Sequence, residues 1–253
     1  MAQRIDLSHV SLQYRTEARE VLAVDDVSFT VAESEFLCLL GPSGCGKTTI
    51  MNMIAGFLQP TGGEVLIGGA RLDGVRHDRG VVFQDFAQLF PWRTARRNVE
   101  FGLETRNVPA AERKRIALDF LRVVGLQDFA DAYPHQLSGG MQQRVAIARA
   151  IAYSPGVLLM DEPFAALDAM TRDEMQRLVT DVWQETRKTV VYVTHNVAEA
   201  VYLGDRVVVL DAHPGRVKAE IPLDLPRPRD PLSTPFVEAQ RRILAQLGMH
   251  QEP

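Results

Sequence analysis

Two glycine-rich segments carry residue types and spacings that bind phosphate groups. Residues 41–48 (GPSGCGKT) fit the pattern G-x-x-x-x-G-K-[ST], whose backbone N–H groups surround the phosphates of a nucleotide. Residues 137–144 (LSGGMQQR) open a predicted helix with a serine cap and two glycines, another place where backbone donors meet an anion. One triphosphate cannot occupy two such sites in one small domain, so the pair predicts that a second copy of the chain completes the site.

Carboxylates end a buried strand at residues 157–163 (VLLMDEP). A parallel strand delivers its last side chains to the crevice at the carboxyl edge of the sheet, where a phosphate loop also lies. We therefore expect Asp161 to hold Mg²⁺ through water and Glu162 to orient and polarise an attacking water. An acidic pair at a strand end is common by itself, and only the phosphate loop makes the functional interpretation the stronger one.

Two further polar residues follow predicted strands. Gln84 comes directly after the strand at 80–83, where a neutral amide can ligate Mg²⁺ or water. His195 comes after the strand at 189–193, where an imidazole can contact a γ-phosphate and its water. A lone histidine at a strand end is more often structural, so both assignments depend on the other motifs.

The hydrophobic pattern indicates the elements that position these groups. Period-2 alternation up to Val31 predicts short antiparallel strands. The continuous apolar run at 36–40 predicts a strand buried on both faces, followed by the phosphate loop and a helix that stops before Pro60. Strand signals vanish from about residue 89 to 153, and strands and helices alternate again afterwards, which favours a parallel sheet.

Composition restricts the class of protein. The 253 residues are 46% hydrophobic and 24% charged, as in ordinary globular proteins, and the net charge of −4 predicts no overall attraction to nucleic acid or anionic lipid. Two cysteines provide no disulfide framework, which favours a reduced cytosolic setting. No apolar run reaches the length of a membrane span and no signal-peptide core opens the chain, so we expect membrane contact only through a partner.

The ordered motifs resemble the nucleotide-binding subunit of an ABC transporter, from about residue 4 to 215. The LSGG segment is the most specific of these motifs, because many P-loop proteins share the phosphate loop and the acidic strand end. The resemblance implies an α/β fold: a P-loop NTPase ABC cassette with a mostly parallel core sheet, an N-terminal antiparallel β subdomain and an inserted α-helical subdomain. The implied layout is a single ABC ATPase domain over residues 1–253, with the core and antiparallel strands at 1–88 and 154–215, the helical subdomain at 89–153, and a tail and helix at 216–253.

The resemblance also implies roles for individual residues. Tyr14 would stack on adenine. Ser138, Gly140 and Gln142 of the other subunit would close over the γ-phosphate, and Asp168 would link the two sites. Met141 departs from the commoner glutamine after LSGG, with little loss expected because serine, glycine N–H groups and the helix dipole do most of the binding. The implied nucleotide-binding residues are Tyr14, Gly41, Pro42, Ser43, Gly44, Cys45, Gly46, Lys47, Thr48, Thr49, Ser138, Gly139, Gly140, Gln142 and Asp168; the catalytic residues are Glu162, His195 and Gln84; and the Mg²⁺ ligands are Thr48, Gln84 and Asp161, the last through water.

The function implied is an ATP-hydrolysing subunit that dimerises around two ATP and powers a membrane permease. Three segments resemble those of importers of nitrate, sulfonates, taurine and related small oxyanions: residues 86–94, residues 98–103 and the tail at 221–229. Phe90, Pro91 and Trp92 would line a groove for a permease helix, although a packed loop anchor is an equal alternative. Asp85 is expected to tune this contact.

The expected cofactors and partners follow from the same resemblance. They are ATP and Mg²⁺, a second ATP-binding subunit in a homodimer, transmembrane permease subunits and, indirectly, an extracytoplasmic solute-binding protein, but no nucleic acid. The expected location is the cytoplasmic face of the cell membrane.

Two other classes remain as alternatives. A soluble ABC ATPase of DNA repair or translation usually carries long coiled coils or two cassettes, whereas this sequence has one cassette and no heptad run. An ordinary P-loop phosphotransferase or GTPase would leave residues 137–144 and His195 unexplained.

Overall fold

The computed structural model describes residues 1–16, 19–84, 88–165 and 167–248. The strands in these residues are β1 (Ile5–Thr16), β2 (Arg19–Val31), β3 (Phe36–Leu40), β4 (Gly62–Ile67), β5 (Ala70–Arg71), β6 (Arg79–Val82), β7 (Val157–Asp161), β8 (Thr189–Thr194), β9 (Arg206–Asp211) and β10 (Arg216–Pro222). The α-helices are α1 (Lys47–Ala55), α2 (Ala95–Glu104), α3 (Ala110–Val123), α4 (Gly139–Ala152), α5 (Ala169–Thr186), α6 (Val197–Leu203) and α7 (Thr234–Gln246).

The chain divides into two compact units. The first is built from residues 1–76 and 187–253, and the second from residues 77–186. The phosphate-loop segment at 41–48 belongs to the first unit and the LSGG segment at 137–140 to the second.

The first unit contains the predicted antiparallel sheet, in the strand order β2-β1-β4-β5. Strand β1 pairs with β2 from Ile5 opposite Val31 to Thr16 opposite Arg19. The inward side chains of the alternating pattern, such as Ile5 and Val65, are buried. The strands β1 and β2 are longer than the short strands that the sequence predicts. Their pairing continues through bulges, where the register shifts, instead of ending there.

The first unit also contains the strands that lead into the phosphate loop. Strand β3 lies between β8 and β9 and runs parallel to both, and β10 extends the edge antiparallel to β9. All five residues of β3 and all six of β8 are buried, as the continuous apolar runs predict. Strand β10 was not predicted, because it is an edge strand whose side chains are mostly exposed or half-buried and therefore give a weak apolar signal.

The second unit contains the parallel pair β6 and β7 and the inserted helices. Helix α4 packs against α2, α3 and β6, and its buried residues include Val145 and Ile147. Among the described residues between β6 and β7 there is no strand, as the sequence predicts for 89–153. Helices α2 and α4 approach closely where Gly102 faces the ring of Tyr153.

We predict that Gly102→Ala destabilises the second unit. A Cβ at this position would lie 2.3 Å from Cδ1 of Tyr153, and that ring is anchored by a hydrogen bond of 2.6 Å from its hydroxyl to the Arg79 carbonyl. Overpacking of this kind costs about 1–3 kcal/mol and outweighs the gain of about 1 kcal/mol in helix propensity. Thermal denaturation followed by circular dichroism should give a lower Tm, whereas Arg97→Ala, at an exposed position of the same helix, should leave it nearly unchanged. A higher Tm for Gly102→Ala would contradict the packing argument.

Candidate functional site

The phosphate loop joins the end of β3 to the start of α1. The buried Lys47 turns back over the loop, where its ammonium donates to the Gly41 carbonyl at 2.8 Å and the Pro42 carbonyl at 3.0 Å. Helix α1 begins after Gly46, which supplies no side-chain cap to its first turn. The loop therefore combines a lysine cation with a helix N-terminus, the arrangement that binds phosphate.

Two glycines of the loop have backbone conformations that other residues rarely adopt. Gly44 has φ 79° and Gly46 has φ 87°, and a Cβ on Gly46 would lie 2.8 Å from Cγ2 of Val24 on β2. The neighbouring Cys45 is also enclosed, and burial raises the pKa of its thiol. Local chain geometry and packing against β2 thus hold the loop in its curve.

Tyr14 and His195 also lie in the first unit. The Tyr14 hydroxyl is 3.3 Å from the Thr49 hydroxyl in the first turn of α1, and the side chain remains 41% exposed. His195 is exposed and follows β8, whose last residue, Thr194, pairs with Leu40 at the start of the phosphate loop. The parallel register therefore brings His195 and Gly41 to the same edge of these strands.

The turn that carries His195 is fixed by a buried polar network that sequence reasoning missed. The Glu199 carboxylate accepts hydrogen bonds from the hydroxyls of Tyr192 at 3.1 Å and Thr194 at 2.8 Å. The Thr194 hydroxyl accepts from the Asn196 N–H, and the Asn196 side chain caps α6 by accepting from the Glu199 N–H. The Asn-x-x-Glu spacing of a capping box was the available signal for this network.

In the second unit the parallel pairing of β6 and β7 brings the acidic strand end and Gln84 to one edge. Val82 pairs with Met160, so Gln84 and Glu162 lie the same distance beyond the paired residues. Asp161 is buried as the last residue of β7. Glu162 has φ 41°, a left-handed conformation that is strained for this residue type and is found mostly where function requires it.

Gln88 holds the backbone of Phe83, the residue before Gln84. Its side-chain amide accepts from the Phe83 N–H at 3.1 Å, donates to the Phe83 carbonyl at 2.9 Å, and donates to the Gln143 side chain of α4 at 3.3 Å. Asp85, which the sequence analysis singled out, lies outside the described residues. Gln88 and Gln143 were not predicted as functional, and no local pattern marks side chains that pair across 55 residues.

The LSGG segment forms the N-terminus of α4, as predicted. The Ser138 hydroxyl accepts from the Met141 N–H at 3.3 Å, so Ser138 is the N-cap. A Cβ on Gly140 would lie 3.0 Å from Cγ2 of Thr171, which leaves little room for a larger residue. The Gln142 amide donates to the carbonyls of Pro134 and Leu137, so it holds the turn that precedes the helix.

Asp168 caps the neighbouring helix α5. Its carboxylate accepts from the Thr171 N–H at 3.0 Å and from the Thr171 hydroxyl at 2.8 Å, and these hydrogen bonds lower the pKa of Asp168. The first turns of α4 and α5 thus meet in one depression of about 540 Å³. Its lining consists of Gly125, Leu126, Phe129, Ser138, Gly139, Gly140, Met141, Arg144, Leu167, Asp168 and Thr171. Of these, only Ser138, Gly139, Gly140 and Asp168 were predicted as site residues; Thr171 is among those missed, although the Asp-x-x-Thr spacing is typical of a helix cap.

The predicted site residues therefore fall into three groups within the described chain. Tyr14, the phosphate loop and His195 belong to the first unit, whereas Gln84, Asp161 and Glu162 share a strand edge in the second. The third group, Ser138–Gly140 with Asp168, lines the depression at the start of α4 and α5.

Comparison with known proteins identifies the family of this chain. The family described as "ABC transporter" matches residues 24–165, more than half of the chain. The chain belongs to the ABC transporter family. An uncharacterised ABC transporter ATP-binding protein of Methanocaldococcus jannaschii, MJ0412, is 52% identical over 96% of this chain and 91% of its own length. The taurine import ATP-binding protein TauB of Rhizobium johnstonii is 46% identical over 88% of this chain and 85% of its own length.

Solved ABC cassettes have the same fold. The dimeric structure of the cassette MJ0796 superposes with a TM-score of 0.79 at 38% identity and covers 87% of this chain and 99% of that cassette. Its dimeric post-hydrolysis state, bound to ADP and Pi, gives a TM-score of 0.78 at 36% identity. The predicted ABC cassette fold and ABC-type ATPase class are confirmed, and the relatives named here do not favour a soluble ATPase of DNA repair or translation.

The cassette also exposes an aromatic surface, which we define as Phe90, Trp92 and Phe101. The Phe90 ring lies 5.6 Å from the Trp92 ring and 4.6 Å from the Phe101 ring, measured between centroids, and Trp92 is 71% exposed. The buried Asn98 holds the loop by donating to the carbonyls of Phe90 and Arg93 and accepting from the Phe90 N–H. The loop that carries Phe90 is therefore held in place by Asn98, with Trp92 exposed beside it.

The described part of the cassette has no helix that combines the length and the apolar character needed to cross a bilayer.

Proposed function

We propose that this chain is the ATP-hydrolysing subunit of an importer, in which two copies close around two ATP and drive a membrane permease. The observation that carries the proposal is the depression where α4 and α5 begin. It offers the N-terminus of α4, the Ser138 hydroxyl and small residues, all of which suit a phosphate group. The lysine that must neutralise a triphosphate, Lys47, belongs to the other unit's phosphate loop.

In the proposed dimer, the two phosphate-binding segments of each site come from different subunits. The phosphate loop of one subunit would hold ATP, and Ser138, Gly139 and Gly140 of the other would close over its γ-phosphate. ATP then stabilises the closed dimer because it contacts both subunits, and hydrolysis removes that stabilisation. Asp168 caps α5 in the same depression and would connect the state of one site to the other.

Hydrolysis requires an aligned water and stabilisation of the charge on the transferred phosphoryl group. Glu162 would orient and polarise the water that attacks the γ-phosphorus. The bond between the γ-phosphorus and the bridging oxygen would then break, and ADP and phosphate would leave. His195 would contact the γ-phosphate, and Gln84 would help to place the water. Mg²⁺ would be held by oxygen atoms of Thr48, Gln84 and Asp161, the last through water, because it prefers oxygen ligands, and it would neutralise charge on the β- and γ-phosphates.

We predict that Ser138→Arg leaves ATP binding intact but lowers kcat by about 100-fold or more, because the arginine obstructs the site of the facing subunit. ATP affinity is measured with a fluorescent ATP analogue and hydrolysis by phosphate release. Thr105→Arg, the same kind of change at an exposed position of the second unit, should retain both properties.

The shared site also fixes how the rate depends on concentration. Specific activity of the wild-type chain should rise with protein concentration across the dimerisation range. Specific activity that is independent of concentration, with a monomer in sedimentation, would refute the shared site.

We predict that Glu162→Gln lowers kcat by about 100-fold or more, because an amide cannot polarise the attacking water, while ATP binding persists. ATP should therefore trap this variant as a closed dimer in size-exclusion chromatography. Glu185→Gln, on the exposed side of α5, is the matched control and should behave as wild type. Wild-type turnover in Glu162→Gln would remove Glu162 from the catalytic role.

The aromatic surface is the proposed contact with the permease. Its occupant would be a short permease helix, since a fixed aromatic cluster with an exposed tip suits an apolar helix face in a groove. The guanidinium of Arg93 lies 5.7 Å from the Phe90 ring centroid and 5.2 Å from that of Phe101, so it would offer charge at the rim. Binding there would hold the chain at the cytoplasmic face of the membrane.

The class of solute that we propose for this importer is a small oxyanion. It is supported by the taurine import ATP-binding proteins, which are 46% identical to this chain, and by the motifs at 86–94 and 221–229. The nucleotide-binding subunit does not touch the solute, so nitrate and sulfonates are both included. Delivery by an extracytoplasmic solute-binding protein completes the proposed system.

We predict that Trp92→Ala reduces uptake without lowering the ATPase rate of the isolated chain. In cells whose own copy is deleted, the variant should restore less than about a tenth of wild-type uptake of labelled taurine or nitrate, because an exposed aromatic anchor is lost. Leu232→Ala, which removes another exposed apolar side chain, should restore uptake fully. Full uptake with Trp92→Ala would exclude this surface as the permease contact.

A further inference from the structure

The end of helix α6 is covered by two arginines from the tail that follows β10. The buried Arg229 donates through Nη1 to the carbonyls of Val201, Tyr202 and Gly204, at 3.3 Å for Tyr202 and 2.6 Å for Gly204. Arg227 donates to the Leu203 carbonyl. These are the carbonyls that a helix leaves without internal partners at its end, and each one receives a guanidinium.

Both arginines make further contacts, Arg229 within the tail and Arg227 with the residue after Gly204. Arg229 also donates to the carbonyls of Leu223 and Leu225, and Arg227 pairs with Asp205. Burial, with a further contribution from Arg227, lowers the pKa of Arg229 to about 10. Placing a cation there is costly, and a hydrophobic side chain would be sufficient to anchor the tail alone. What the two arginines do in particular is hold the C-terminal end of α6 in place.

The other end of α6 is the turn of His195. Helix α6 has only seven residues, too few to be stable alone, so contacts at its ends determine where it lies. At its start, Glu199 accepts hydrogen bonds from the hydroxyls of Tyr192 and Thr194, both in the last residues of β8, and Asn196 caps the helix. A shift at the arginine end therefore moves a short rigid rod whose first residue is two positions from His195.

We propose that Arg229, supported by Arg227, is a positioning residue that sets the place of His195 through helix α6. The inference rests on the proposed function, which gives His195 its contact with the γ-phosphate. The tail is then a part of the catalytic apparatus, and a ligand or partner that displaces it would slow hydrolysis without touching nucleotide.

The test compares steady-state ATP hydrolysis by the full-length chain and by Arg229→Gln. We expect kcat to fall by about 10- to 100-fold, because small misplacements of a catalytic group have effects of this size, with KM for ATP changed by less than about twofold. Arg229→Lys, which keeps the charge and reaches some of the carbonyls, should recover part of the rate. An unchanged kcat in Arg229→Gln would overturn the inference.

A double-mutant cycle separates positioning from general destabilisation. In the His195→Ala background, Arg229→Gln should cause no further loss of kcat, because the residue through which it acts is absent. A further loss by the same factor would mean that Arg229 acts independently of His195 and would overturn the inference. Val65→Ala, which weakens the buried face of β4, should lower Tm while leaving kcat near wild type.

Nuclear magnetic resonance of ¹³C-labelled histidine observes the imidazole directly. Arg229→Gln should shift or broaden the ring signal of His195, assigned with His195→Ala, and leave that of His9, which pairs with Asp26 on the antiparallel sheet, unchanged. A His195 signal identical to wild type would overturn the inference. If Arg229→Gln does not fold, Arg227→Gln, which removes the contacts to Leu203 and Asp205, is judged by the same criteria.

The two proposals fail in different ways. Wild-type hydrolysis by His195→Ala would overturn the catalytic role of His195 and, with it, the role given to Arg229. A slow His195→Ala variant together with a normal Arg229→Gln variant would overturn only the inference about the tail.

Discussion

Backbone polar groups left unpaired at helix ends are the constraint on which this structure depends. The first turn of a helix has N–H groups without internal partners, and the last turn has carbonyls in the same condition. Helix α1 begins at the end of the phosphate loop without a side-chain cap, because its N-cap residue is Gly46. Helices α4 and α5 begin with one cap each, Ser138 and Asp168, and share a depression. Helix α6 has the opposite need, which two arginines meet.

Parallel strands turn this local chemistry into an arrangement. Register determines which residues share an edge, and it places His195 beside the start of the phosphate loop and Gln84 beside the acidic strand end. Since His195, Gln84 and Glu162 each lie just beyond a buried strand, their backbone is anchored at the carboxyl edge of the strands. Glu162 adds a left-handed turn, so the chain leaves β7 abruptly.

The sequence predicts the parts of this structure that arise from contiguous patterns. The apolar run of β3, the phosphate loop and the Ser138 cap are each specified by residues next to one another, and each is found where predicted. The ABC cassette fold follows from their order and is confirmed by the solved cassettes. The roles of single residues such as His195 and Gln142 stay predictions.

What the sequence does not reveal depends on contacts between distant residues. Strand β10 has mostly exposed side chains, and its pairing with β9 has no apolar signature of its own. Gln88 meets Gln143, and Arg229 meets carbonyls of α6 that lie 25 to 28 positions earlier in the chain. A side chain that binds a backbone carbonyl imposes no residue type at the acceptor position, so no pattern records it.

The first unit is discontinuous, and this has a consequence for biosynthesis. Strand β3 is made early, but its neighbours β8 and β9 follow about 150 residues later, after the whole second unit. At ribosomal rates of about 5–20 residues per second, the apolar β3 waits roughly ten seconds or more for its pairing partners. During that interval the second unit, which is continuous in sequence, can fold first, whereas the nascent β3 must be shielded from aggregation by chaperones or by residual collapse. Nucleotide therefore cannot assist folding of the phosphate loop between paired strands until β8 and β9 have been translated.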